Sequence, residues 1–578
     1  MTATVAPAAL PGTPDAAPVV LPPATPARAR RFALLVAAAV IAGLALRIGI
    51  ALTDDAPSTD ETAYLRSGIA LVEGDGFTRG GRPELHFPPF VPFLLGASDR
   101  VLGDPHTGTV VLTCLASAAL VVPLALLARR LAGERAGITT AWVAALAPGL
   151  STTLVNRGAG SEAEYLLLVV SAVWCVVSAA GHAGRGRWLR VAGAGLLVGL
   201  AYLTRPEGLF LGVPLGLAVL VLGARAAAAA GGGRRARLLG AGRLAAAFTV
   251  PVLLCIVPYA SYLHDHTGTW QLSAKTQDAS IDAWHAVAKA HREDRDSILW
   301  ALDESGLRFS TERTSLPALA RDDPSGYAAI VRTNVGALAD QIAGPETNQV
   351  LAWLLLPLPV WLLAGVGAWR YRRSRLAWVM LAVGLLPVAT ALAFFVQPRY
   401  LVVAVALATV FVGAGLAGLG DRWRRPALAV ALAFLALSTA QGFRSEAAGW
   451  WHPSDSSDQR AAGEWIAANT GPDDRVMTRS MVVEYYAERE AMAIPYAELD
   501  AILNYGRHYG AQYLVVDWYT AVRLRPQLGP LFEVDAVPGL RLVHELRAEG
   551  RGARIFALDP APPRGRPTGP SLGFVGDG

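Results

Sequence analysis

The chain has 578 residues, of which 53% are hydrophobic and only 17% charged, against about 25% charged in an average soluble chain. That deficit excludes a string of ordinary soluble domains and describes a membrane protein with sizeable parts outside the bilayer. The net charge of +5 comes from arginine clusters at the ends of apolar runs rather than from a basic, aromatic-interleaved surface, which argues against nucleic acid as a partner.

Residues 1–31 are rich in Ala and Pro, close with Arg28, Arg30 and Arg31, and read as a disordered cytoplasmic tail ahead of a start-transfer helix. The apolar run at 32–52 is too long for the core of a signal peptide and is taken as the first span. Further runs fall at about 107–128, 136–152, 162–180, 190–204, 208–224, 244–263, 349–369, 376–396, 400–419 and 426–442, giving about eleven spans in a polytopic α-helical membrane domain over 32–442. The three cysteines, Cys114, Cys175 and Cys255, lie inside these runs and form neither a disulfide framework nor a CxxC metal site.

Arginine clusters occupy every second connection, around Arg129, Arg187, Arg235, Arg372 and Arg424, always on the side of the N-terminal arginines. The positive-inside rule then predicts a multi-pass plasma-membrane protein with a cytoplasmic N-terminus. It leaves outside the loops 53–106 and 264–348 and a C-terminal domain over 443–560. In that domain, helix-like stretches (Asp458–Asn469, Leu499–Tyr509) and strand-like ones (Tyr513–Asp517, Leu540–Leu546, Ile555–Leu558) predict a small α/β fold. The Pro/Gly-rich tail 561–578 reads as disordered. No internal repeat supports an inverted-repeat transporter.

Ionisable residues at the outer ends of the spans carry the functional signal, because a charge in the membrane needs a partner or a polar cavity. Asp60 and Glu61 open a helix-like stretch after the first span, with Tyr64 on the face of Asp60; acids on a helix dipole are the plainer reading. His86 precedes Pro88 and Pro89 at a stretch able to touch the membrane, where a surface histidine is the alternative. Ser161, Glu162 and Glu164 open the fourth span; the two acids, two apart, face different ways, and a helix cap is the alternative. Thr204-Arg205-Pro206-Glu207-Gly208 interrupts an apolar stretch after about 15 residues, roughly 22 Å, short of a bilayer core of about 30 Å. Arg205 and Glu207 must therefore pair with each other or line a polar cavity. Gln397-Pro398-Arg399-Tyr400 sits at another outer end, where an arginine could simply snorkel to headgroups. Acids and arginines converging on one face suit carboxylates that activate an acceptor and cations that hold a phosphate.

These residues resemble the GT-C superfamily of polyprenyl-phosphate-sugar glycosyltransferases, and within it glycosyltransferase family 39, the protein O-mannosyltransferases and lipid A aminoarabinose transferases. The resemblance runs through Asp60-Glu61-x-x-Tyr64, Pro88-Pro89, Ser161-Glu162, Leu203-Thr-Arg-Pro-Glu-Gly208 and Arg399-Tyr-Leu401, and through the segment from Ala461. It implies inverting transfer of a sugar from a polyprenyl-phosphate donor to a glycan, lipid or protein acceptor at the outer face of the membrane, amid membrane lipid. Asp60 would be the catalytic carboxylate, with Glu61 supporting it and Glu162 as the second acidic position. Arg205 and Arg399, from their charge and depth rather than from a motif match, would hold the donor phosphate, as would Lys275 by analogy with relatives that use a lysine there. Tyr64, His86, Glu207 and Tyr400 would contact substrate. Some relatives use a divalent metal, Mg or Mn, which Asp60 and Glu162 would bind here, although no DxD pattern is present. Two other classes compete: a flippase for lipid-linked sugars, which needs polar groups spread through the midplane, and a non-catalytic envelope-assembly protein.

Overall fold

The computed structural model describes residues 25–52, 57, 59–156, 160–274, 297, 300–309, 316–343, 355–393, 395–447, 457–548 and 551–559. Each predicted apolar run falls at least in part on helix among the described residues; the start of the run 349–369 lies outside them. The first part of the chain forms α1 (Pro26–Ala51), α2 (Thr59–Glu73), α3 (Phe90–Leu102), α4 (Pro105–Ala119), α5 (Val121–Ala132), α6 (Glu134–Leu146), α7 (Thr152–Asn156), α8 (Glu162–Ala179), α9 (Gly184–Thr204), α10 (Gly208–Ala229) and α11 (Arg234–Thr267). Later helices span Leu316–Asp322, Pro324–Ala343, Leu358–Arg370, Arg375–Ala393, Val402–Ala417 and Asp421–Ala447. The expected disordered tail is too long by several residues. Helix α1 starts at Pro26 because Thr25 caps it, its side chain accepting from the Arg28 N–H, and proline suits the first turn. The expected tail at 561–578 lies outside the described residues.

Among the described residues, six helices are long and apolar enough to cross a membrane: α1, the continuous α4–α5 pair, α8, α10, α11 and Arg375–Ala393. A seventh would join α6 to the segment after it across a 77° bend. The other predicted spans are helices with shorter apolar stretches; Arg185, Arg187 and Arg190 occupy the first turns of α9, for example. Val402–Ala417 is apolar all round and almost wholly buried, the central rod of the bundle. Helices α1, α10 and α11 instead expose Leu34, Ile41, Val213, Leu217 and Leu254, as lipid-facing surfaces do. The chain is a multi-pass membrane protein.

The bend after α6 has a specific support. Pro148 forces Ala147 into extended backbone, so α6 stops inside the bundle with carbonyls left over. Arg47 of α1, fully buried, donates to Ala145 O at 3.1 Å and to Leu150 O on either side of the break, and to Gly43 O of its own helix at 2.8 Å. Helices α2 and α3 cross at Gly68 and Gly96, where a Cβ on either would collide with the other's backbone.

The C-terminal part forms a six-stranded mixed sheet in the order β4-β3-β5-β8-β7-β6. Its strands are β3 (Arg475–Thr478), β4 (Glu490–Ala493), β5 (Tyr513–Asp517), β6 (Ala536–Val537), β7 (Leu540–Ala548) and β8 (Arg551–Leu558); β1 (Thr78–Arg79) and β2 (Arg82–Pro83) form a separate hairpin. β3 pairs in parallel with β4 and β5, with the helices Met481–Ala487 and Leu499–His508 in the connections, and the remaining pairs are antiparallel. The three predicted strands are β5, β7 and part of β8. Trp300 and Phe309, from the predicted loop 264–348, are buried in the core of this unit, and Tyr496 N donates to Trp300 O at 2.7 Å.

Candidate functional site

Three chain breaks at helix ends build the site. Helix α2 opens with Asp60 and Glu61 in its first turn, where negative charge suits the dipole. Pro206 ends α9 by holding Arg205 in extended backbone (φ −146°, ψ 127°), and α10 starts two residues later at Gly208, packed against the Ala201 and Tyr202 backbone. Pro398 likewise holds Gln397 extended, and Arg399 and Tyr400 follow in a 3-10 turn ahead of Val402–Ala417.

These ends meet. Arg399 Nη1 donates to Asp60 Oδ2 at 3.1 Å and Arg399 Nε to Gln397 Oε1 at 2.8 Å. Arg205 Nη1 donates to Glu162 Oε1 at 2.6 Å and to Ser161 Oγ at 3.2 Å. The Tyr64 hydroxyl lies 3.3 Å from the same Ser161 Oγ and so links α2 to the Arg205–Glu162 pair. Both guanidiniums approach the Tyr400 ring, Arg399 at 5.4 Å and Arg205 at 5.9 Å from its centroid. Burial pushes the Tyr64 phenol well above its ordinary pKa, so it stays a hydroxyl. The result is two carboxylates and two arginines in alternating pairs, with a tyrosine at each side.

Ser161, read as a cap from sequence, makes no side-chain cap bond; its hydroxyl serves the network instead. Glu162 and Glu164 diverge as their spacing requires: Glu162 joins Arg205, while neither carboxylate oxygen of the buried Glu164 has a hydrogen-bond partner among the described residues. Glu207 Oε2 is 3.9 Å from Arg205 Nε, at the edge of an ion pair. Glu61 turns instead to His106, whose Nδ1 lies 3.4 Å from its Oε1. His86 is one step removed: its backbone N–H donates to Glu84 Oε1 at 2.7 Å, and its ring packs edge-on to Phe87, which in turn contacts Tyr64. Lys275 lies outside the described residues.

His106 is the residue sequence reasoning missed. It follows Asp104, which caps α4 by accepting from Thr107 N at 2.7 Å. The available signal was position: His106 stands one residue before a predicted span, at the end where the acids gather.

The donor set does not fit a divalent cation. Asp60 and Glu162 each face a guanidinium, which already supplies the positive charge, and among the described residues no three His, Cys, Asp or Glu side chains are grouped to hold an ion. No step is assigned to a metal.

Residues 86–254 match the family model described as dolichyl-phosphate-mannose-protein mannosyltransferase. Among curated proteins none matches the sequence. Among solved structures the chain is similar to ArnT from Cupriavidus metallidurans bound to undecaprenyl phosphate, with 14% identity, coverage of 91% of this chain and 98% of that one, and a TM-score of 0.55. It is also similar to the apo oligosaccharyltransferase of Archaeoglobus fulgidus, with 15% identity, coverage of 86% and 72%, and a TM-score of 0.54. The oligosaccharyltransferase AglB from Archaeoglobus fulgidus, in complex with an inhibitory peptide and a dolichol-phosphate, matches with 14% identity, coverage of 88% and 72%, and a TM-score of 0.52. A helical membrane unit with charged helix ends and a C-terminal α/β unit is thus the fold this chain shares with these structures.

Proposed function

We propose that the protein is an inverting glycosyltransferase that moves a sugar from a polyprenyl-phosphate donor to a hydroxyl of a cell-envelope glycan, lipid or protein at the outer face of the plasma membrane. The observation that carries this reading is the alternating network Asp60–Arg399 and Glu162–Arg205 at the ends of membrane helices. Asp60 takes the proton of the acceptor hydroxyl as that oxygen bonds to the anomeric carbon. The bond from this carbon to the phosphate oxygen breaks, and its electron pair leaves with the polyprenyl phosphate. Arg205 and Arg399 carry the charge that grows on the departing phosphate. A guanidinium has five N–H donors, so each can keep its carboxylate and still hold phosphate oxygens. Glu162 orients Arg205, while Glu61 and His106 stand behind Asp60 on the acceptor side.

The matched family and the fold support a lipid-linked donor, as do the undecaprenyl phosphate and dolichol-phosphate that accompany the similar structures. The arginine clusters at alternate connections support the orientation. The test is transfer by the purified full chain in lipid nanodiscs, supplied with polyprenyl-phosphate mannose or arabinose and envelope acceptors. Wild-type protein is expected to transfer sugar and Asp60→Asn to lose turnover at unchanged melting temperature. Undiminished transfer by the variant would remove Asp60 from its role, and no transfer by the wild type from either donor would overturn the reading.

A further inference from the structure

A cleft of about 470 Å³ lies between α2 and the C-terminal unit, within the range of small-molecule sites. One wall is α2, with Arg66 and Glu73; the other is the helix Met481–Ala487 and its end, with Tyr485, Tyr486 and Glu488, joined by Arg460. His106 lines the same cleft, and through it the cleft reaches Glu61, the residue next to Asp60.

Its chemistry narrows the ligand. Four carboxylates (Glu73, Asp75, Asp104 and Glu488) face two guanidiniums (Arg66 and Arg460), a balance that repels a phosphate and so separates this cleft from the donor's leaving group. Pro57, Leu65, Ile69 and Ala70 line it too, but a prenyl or acyl chain would offer no hydrogen bond to the charged side chains among them. The lining includes no residue of a sheet strand, so a peptide finds no edge to extend. Acceptors and donors alternating beside tyrosine rings suit a neutral, many-hydroxyl ligand.

Glu488 adds an independent mark. Among the described residues it is the one non-glycine with positive φ, at 51°, in the left-handed position that ends the helix Met481–Ala487. Glycine is the residue that fits this position without strain. The chain instead sets a carboxylate on the cleft wall there.

We infer that this cleft binds the acceptor and that the acceptor is a saccharide, entering with its nucleophilic hydroxyl toward His106 and Asp60. The inference rests on the proposed glycosyl transfer, and its test reads binding and chemistry separately. Binding of α-1,6-linked mannotriose, an arabinofuranose hexasaccharide, a Ser/Thr tetrapeptide and phosphatidylglycerol vesicles is measured by calorimetry on the full chain in nanodiscs. Transfer, and the slow hydrolysis of polyprenyl-phosphate sugar with water as acceptor, are followed in parallel.

At least one saccharide is expected to bind. Glu488→Gly is expected to weaken it roughly tenfold, the loss of a charged hydrogen bond, with a melting temperature equal to or above wild type and unchanged donor hydrolysis. Glu488→Gln, which keeps a hydrogen-bonding side chain, should restore most of the affinity, and Tyr486→Ala should weaken binding with hydrolysis intact. Binding of the peptide or vesicles in place of the saccharides, no saccharide binding, or saccharide affinity indifferent to Glu488 and Tyr486 would overturn the inference. Glu488-dependent saccharide binding without transfer or hydrolysis would support the cleft and overturn the glycosyltransferase reading instead.

Discussion

Around Arg47 and around the pair Arg205 and Arg399, the protein takes guanidiniums out of water in two different ways. Arg47 is fully buried and bonds backbone carbonyls of Gly43, Ala145 and Leu150. Ala145 and Leu150 cannot move without unfolding the bend they flank, and Gly43 belongs to Arg47's own helix. Arg205 and Arg399 keep some exposure and bond carboxylates on side chains, Glu162 and Asp60. A carboxylate can be shared with, or exchanged for, a phosphate oxygen. The chemistry of the partner, more than the depth of the charge, separates an arginine that holds the fold from one that can serve a substrate.

That contrast breaks or sharpens under mutation. The largest effect is expected at Asp60: Asp60→Asn should reduce sugar transfer by about 10²–10⁴-fold, the range of a lost general base, with the melting temperature of the purified protein held. Arg399→Gln should follow, slowing turnover by about 10²–10³-fold; a loss confined to expression level would move Arg399 to the class of Arg47. Arg47→Met should do the reverse. Each carbonyl left unpaired costs about 1–3 kcal/mol, so the melting temperature falls while kcat/KM per folded molecule stays near wild type. A parallel fall in both would erase the distinction. Arg66→Ala deprives the buried Glu484 of its ion pair and should cost about 1–3 kcal/mol, read by thermal melting. The smallest effect is expected from a chelator: with guanidiniums as the cations, turnover should be unchanged in EDTA, and a metal-restorable loss would count against the assigned roles of Arg205 and Arg399.

Much of this was legible before the structure. Apolar runs mark helices reliably in a membrane chain because unpaired backbone cannot face lipid, and β5 was predicted with its limits, Tyr513–Asp517. Strands β3 and β4, four residues each, were not predicted; buried parallel strands that short lack an alternating pattern to distinguish them. At the site, Pro206 and Pro398 announced where the chain must break, so the positions of Arg205 and Arg399 could be read. Their partners could not. Asp60 and Arg399 are 339 residues apart, and Arg47 bonds carbonyls 98 and 103 residues away. Backbone acceptors leave no trace in residue identity, and Ser161 gave a cap signal although its hydroxyl points to the network.

Helix α2 carries Asp60 in its first turn and, a turn and a half later, Arg66, paired with Glu484 at 2.8 Å on the helix Met481–Ala487. Met481 and Tyr485 of that helix pack against the cluster around Leu65. The separation along α2 is about 9 Å at the rise of an α-helix. The C-terminal unit therefore grips the same stiff rod that carries the proposed base, while Gly68 and Gly96 lock the rod's far half to α3. A tilt of the sheet unit would be transmitted to Asp60 as a rotation of one rigid body, making the C-terminal unit a mechanical lever on the proposed base.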